Sequence, residues 1–126
     1  MPKINRYVDI DTVEREAKKD YIDRHSPFIH CGDSAAPGEK FAVTIKVGNE
    51  YDHPDDFDHF IANVALYNGE TLLGRADFPP GTLANQKSQV EVVFNIIPTK
   101  KLKLVAHAYC TKHGLWESDP KEVSMA

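Results

Sequence analysis

Three observations predict an all-β protein built as a β-sandwich. Apolar and polar residues alternate along several short runs, and Pro, Gly and Asn turn signals separate the runs. Helical periodicity is confined to one stretch near the N-terminus. With 126 residues, the chain is expected to form a single domain that buries a core without disulfide staples. A barrel is the second way for such strands to close.

The elements follow in order. Residues 1–10 read as an extended arm. Asp11 and Glu14 are spaced as a capping box, and Val13, Ala17 and Tyr21 recur at helical spacing, which predicts a helix over 12–22. Pro27 stops it and drives Ser26 towards extended backbone. The chain therefore divides into an arm with a short helix (1–24) and a sandwich (25–126). After Pro37-Gly38, Phe41, Val43, Ile45 and Val47 form the inward face of a strand. Phe60, Ala62, Val64 and Leu66 form the next, and Asn68-Gly69 signals a type I′ hairpin into Leu72, Gly74, Ala76 and Phe78. Pro79-Pro80-Gly81 ends that strand. Val90, Val92, Phe94 and Ile96 are the following inward set, then Leu102, Leu104, Ala106 and Ala108. That parity carries on to Cys110, so its thiol is expected to point inward. A last short strand is expected over 122–125.

Charge and composition exclude several roles. A net charge of −4 with no basic stripe gives no nucleic-acid footprint. No apolar run reaches membrane-spanning length, and the N-terminus lacks a basic-then-apolar leader pattern, so a cytoplasmic protein without membrane attachment is expected. Cys31 and Cys110 are the two cysteines. An immunoglobulin disulfide would place a Trp between them, whereas Trp116 follows both, so a bridge is not expected. Without a Cys-x-x-Cys pair there is no rubredoxin-like module.

Chemistry concentrates in Tyr109-Cys110-Thr111-Lys112-His113, where a thiol and an imidazole stand three positions apart. His53 and His59 lie upstream in a loop rich in Asp, and His25 precedes Ser26-Pro27. One thiolate with several imidazoles suits iron, copper or zinc, whereas magnesium and calcium prefer oxygen. His30 competes with His25, and His107 has the parity of a surface residue. Spacing alone leaves both a metal site and a scatter of unrelated histidines open.

Taken together, His25-Ser26-Pro27-Phe28-Ile29, His53-Pro54 with His59, and Tyr109-Cys110-x-x-His113-Gly114-Leu115-Trp116 resemble the superoxide reductase family. That family includes the neelaredoxins and the catalytic domain of desulfoferrodoxins, and the likeness runs from about residue 21 to the C-terminus. It implies an immunoglobulin-like sandwich and one mononuclear non-haem iron. His25, His53, His59 and His113 would be the equatorial ligands and Cys110 the axial thiolate, leaving the sixth position open. His25 is favoured over His30 because a Pro follows it by two. The implied reaction gives superoxide one electron and two protons and releases hydrogen peroxide. An external donor, rubredoxin-like in kind, would restore the ferrous state, and a homo-oligomer, a tetramer by analogy, is expected.

The family pair Glu-Lys before the first ligand is Asp23-Arg24 here. The resemblance assigns that carboxylate to the open position and that cation to attracting superoxide. Asp23 is one methylene shorter, and Arg24 keeps the charge without being a proton source. Asp23, Arg24 and Lys112 are thus the catalytic candidates. Two readings compete with this one. A cupredoxin-like electron carrier would use His₂Cys and a weak axial Met, and Met125 is twelve residues past His113. A non-catalytic binding module would carry zinc, which favours four tetrahedral ligands with several Cys.

Overall fold

The computed structural model describes residues 19–80, 87–88 and 90–126. The expected arm over 1–10 and the start of the expected helix lie outside these residues. The described helix, α1, spans Lys19–His25 and so runs past the expected end at 22. It stops where Pro27 makes further helix impossible: the Ser26 N–H still reaches the Ile22 carbonyl at 3.0 Å, and β1 (Pro27–His30) begins at once.

Two sheets face each other. One has the order β1, β3 (Phe41–Val47), β8 (Glu91–Ile96). The other has the order β2 (Ser34–Ala35), β11 (Lys121–Met125), β9 (Leu102–Cys110), β5 (Ile61–Asn68), β6 (Thr71–Asp77), with β10 (Gly114–Glu117) also on β9. The pairings are antiparallel except β11 with β2. This is the all-β sandwich that the alternation predicts. A small separate pair joins β4 (His53–Pro54) to β7 (Lys87–Ser88), where only a loop is expected from sequence.

The core lies between the sheets. Val43, Ile45 and Val47 of β3 meet Val64 and Leu66 of β5 and Leu104, Ala106 and Ala108 of β9, all fully buried. Burial of each large apolar side chain is worth about 1.5–3 kcal/mol, so these strands set the frame and the site loops are hung from it. Cys110 ends the buried row of β9 with 0% exposure, as its parity predicts. It is a free thiol, as is Cys31.

Two expectations about faces need correction, and both fail at an irregularity of pairing. In β5 the register shifts between Ile61 and Asn63, so Ile61 (3% exposed) enters the core while Ala62 is only half-buried. Phe60 is buried, but outside the main core cluster. In β6 a second shift, at Leu66/Tyr67, leaves Leu72 half exposed, whereas Gly74, Ala76 and Phe78 keep the expected face. Gly74 is required by packing: a Cβ there would lie 2.7 Å from the Phe94 ring. The expected hairpin is present, but its two-residue turn is Gly69-Glu70, one position later than the expected Asn68-Gly69: Asn68 is still in the strand, paired with Thr71, and Gly69 takes the positive φ of 59°.

Candidate metal centre

Each site residue sits where an element ends. His25 is the last residue of α1, and its Nδ1 lies 2.7 Å from the Tyr21 carbonyl one turn back. A carbonyl only accepts, so Nδ1 carries the proton and Nε2 presents a lone pair. His53, in β4, is fixed the same way by the Pro54 carbonyl at 2.7 Å. His59 closes a tight turn in which its backbone and that of Asp56 exchange hydrogen bonds of 2.9 and 3.2 Å. Cys110 and His113 flank the hairpin turn from β9 to β10, and Gly114 makes that turn possible at φ 84°.

These elements bring all five side chains together. The ligand atoms of His25, His53, His59 and Cys110 lie within 4.8 Å of one another. His113 completes the group: its Nδ1 is 3.1 Å from His25 Nε2 and 3.7 Å from Cys110 Sγ. The imidazoles form a ring of four in the order His25, His53, His59, His113. Neighbouring centroids are 4.7, 4.8, 4.9 and 4.8 Å apart around that ring, and neighbouring planes are steeply tilted, at 71–84°. Across it, His25 and His59 are 6.2 Å apart and nearly parallel, at 19°. A four-sided array of this kind presents its nitrogens to one central point.

The electrostatics are those of a receptor for a cation. Burial pushes the His25 imidazole down to about 3, against the opposing pull of the Tyr21 carbonyl. Burial likewise takes His53 down to about 4, with the Pro54 carbonyl opposing. His59 and His113 also fall below the usual imidazole range, again through burial first. The rings are therefore neutral and able to ligate near pH 7. Burial raises the Cys110 thiol, while backbone N–H groups of Lys112 and His113 and the Lys112 charge favour its thiolate. His53 Nε2 and His59 Nε2 are buried with no hydrogen-bond partner. Buried nitrogens left unpaired are costly, and a metal ion at the centre of the array would satisfy both.

Tyr21 and Trp116 wall the cluster. Trp116, fully buried, stacks on His25 with centroids 4.9 Å apart at 17°, and Tyr21 meets His25, His113 and Trp116 edge-on or tilted. Sequence reading takes Tyr21 only as part of a helical stripe; its place one turn before His25 is the signal for this second role. His30 is exposed on β1. His107 packs on Tyr67 with its Nε2 3.9 Å from Glu117, on the other face of β9 from Cys110.

The three charged candidates sit around the site in different ways. Arg24 pairs with Asp20 at 3.0 Å, and its charge also bears on His53 and His113. Lys112 is exposed, and its charge bears on His59, His113 and Cys110. The Asp23 carboxylate is engaged elsewhere, accepting backbone N–H bonds from Asn49, Glu50 and Tyr51 at 2.9–3.2 Å.

Sandwich and cluster together define a class: a β-sandwich with one histidine- and cysteine-rich metal-type site at its end. The family model for desulfoferrodoxin matches residues 13–119, and the chain belongs to that family. It is 35% identical to a putative superoxide reductase of Methanocaldococcus jannaschii, over 82% of this chain and 85% of that protein. It is 33% identical to a neelaredoxin of Megalodesulfovibrio gigas, over 76% of this chain and 84% of that one. Among solved structures, a superoxide reductase (neelaredoxin) from Ignicoccus hospitalis superposes with a TM-score of 0.72 at 30% identity, covering 93% of both chains. No helix among the described residues is long and apolar enough to cross a membrane.

Proposed function

We propose that this protein is a superoxide reductase, with His25, His53, His59 and His113 around one iron and Cys110 as its thiolate. The observation that carries this reading is the four-sided array of imidazoles with a buried thiol beside it. A cupredoxin-type site would use two of these imidazoles and a Met, yet Met125 packs against the sandwich core. Four nitrogens and one sulfur exceed what structural zinc takes.

Iron bound there supplies the one-electron chemistry. The chain's own part is positional and electrostatic. Tyr21 and Pro54 hold two imidazoles in the ligating tautomer, and the N–H groups of Lys112 and His113 sustain negative charge on the Cys110 sulfur. His25, His53 and Cys110 are buried, while His59 and His113 are half-exposed. A small anion therefore approaches from the His59–His113 side, where Lys112 lies. Two protons from solvent accompany the electron, and the oxidised site is reset by an external donor.

Metal analysis after anaerobic, iron-replete expression tests this. One iron per chain is expected, together with donor oxidation of one electron per superoxide and negligible oxygen evolution. Stoichiometric zinc, or half an oxygen per superoxide with no donor oxidised, overturns the reading.

Arg24 offers a separate test. The net charge of −4 repels superoxide, so a local cation has to offset it. Steering effects range over about 10- to 1,000-fold, and a half-exposed Arg24 already paired with Asp20 belongs at the bottom of that range. Arg24→Ala is expected to slow the second-order reaction about tenfold at low salt and to flatten its salt dependence. Arg24→Lys should retain most of the rate. Pulse radiolysis at two ionic strengths decides: an unchanged Arg24→Ala rate passes the role to Lys112.

A further inference from the structure

Asp23 occupies the place where the family resemblance puts a carboxylate for the open coordination position, yet its surroundings describe another job. Its Oδ2 accepts the N–H groups of Glu50 and Tyr51 at 2.9 Å and of Asn49 at 3.1 Å, and Oδ1 lies 3.2 Å from the same Asn49 nitrogen. Three consecutive backbone donors converging on one carboxylate form an anion-binding nest, and charge-assisted bonds of this kind are roughly twice as strong as neutral ones. The same joint is tied on its other side. Gly48 N–H donates to the Ser26 carbonyl at 2.9 Å. Gly48 has φ +80°, and a Cβ there would lie 2.5 Å from the Tyr51 carbonyl and 3.4 Å from both the Asp23 carbonyl and Arg24 Cα. The end of α1 and the segment 48–51 are thus interlocked. His25 follows Asp23 by two residues on one side, and His53 follows Tyr51 by two on the other.

We propose that Asp23 is a positioning residue: its carboxylate locks segment 49–51 to the end of α1 and so sets the mutual placement of the His25 and His53 imidazoles. The carboxylate is committed to this joint and not to the open position, which no acidic side chain of this pair then closes. The two rings it governs are neighbours in the array, 4.7 Å apart at 84°. An error of a few tenths of an ångström there would be felt directly in metal affinity. The inference rests on the reading of the cluster as a metal site.

Cobalt(II) titration of the metal-free chain, amide hydrogen exchange at residues 49–51, and azide titration of the oxidised iron form test it together. In Asp23→Ala, cobalt affinity should fall about 10- to 100-fold, as when a group that orients a ligand is removed. Exchange at 49–51 should rise even with no metal present, and azide binding to the oxidised iron form should stay as in the parent. Asp23→Asn keeps the shape but turns an amide donor towards backbone donors, so it should show the same losses if Asp23→Ala does not fold. Unchanged cobalt affinity and exchange, with tighter azide binding, would mean that Asp23 serves the open position, and the proposal falls. If the parent itself takes up no cobalt, the metal reading fails, while the exchange result still decides whether the joint depends on Asp23.

Discussion

Cys110→Ser abolishes the thiolate-to-iron charge-transfer absorption of the oxidised protein and slows superoxide reduction about 100-fold or more, the scale seen when one preorganised electrostatic partner is lost. Cys110 is 0% exposed at the end of the β9 core row, so no solvent molecule substitutes for its sulfur. That burial raises the thiol, and the backbone N–H groups of Lys112 and His113 and the nearby Lys112 charge oppose it by favouring the anion. A hydroxyl is harder, ionises far less readily and donates little density to a metal of this type. The variant should still fold, because Val64, Leu66, Leu104 and Ala106 are untouched, and the four imidazoles should still take up metal. Metal content, the visible spectrum and the second-order rate constant read these outcomes separately. A variant that keeps the band, or a parent that never shows one, removes Cys110 from the proposed ligand set.

The frame of this fold was legible because its core strands obey simple alternation. Val43, Ile45 and Val47 in β3, and Leu104, Ala106 and Ala108 in β9, could be assigned to a face by counting in twos, and the count reached Cys110 intact. Counting failed where the pairing slips, at Ile61–Asn63 and at Leu66/Tyr67, since an extra residue moves the following side chains to the other face. Short elements such as β4 and β7 carried no periodicity to read: two residues cannot show a pattern, and their pairing is set by long-range packing. The metal-type cluster was legible in its members and not in its geometry. Each histidine stands at the end of an element, and only the folded chain shows that α1, β4, the Asp56–His59 turn and the β9–β10 hairpin end at one place. The bonds that Asp23 makes in the fold were not legible either, because three backbone donors from 49–51 leave no trace in side-chain identity.

The metal-free protein loses stability steeply as pH falls below about 6.5, and the metal-loaded protein resists that loss to lower pH. In the unfolded chain an imidazole takes its proton near pH 6.5. In the folded chain burial holds His25 near 3 and His53 near 4, with His59 and His113 also lowered. Above pH 6.5 neither state binds these protons, so the full stability is present. Between 6.5 and those two folded values the unfolded chain binds protons that native His25 and His53 refuse, and stability drops by up to about 1.4 kcal/mol per pH unit for each of these two imidazoles. Below about 4 the His53 contribution is spent, and below about 3 that of His25. Carboxylates also titrate in this window, so the informative quantity is the difference between metal-free and loaded protein. Bound metal occupies the same nitrogens and adds stability by mass action, about 2.7 kcal/mol at a hundredfold excess over its Kd. Urea midpoints at pH 7.5, 6, 5 and 4 measure the slope, and His25→Gln in the metal-free form should flatten it. A metal-free protein whose midpoint is level from pH 6.5 to 4 would show that the four imidazoles are not held neutral by burial.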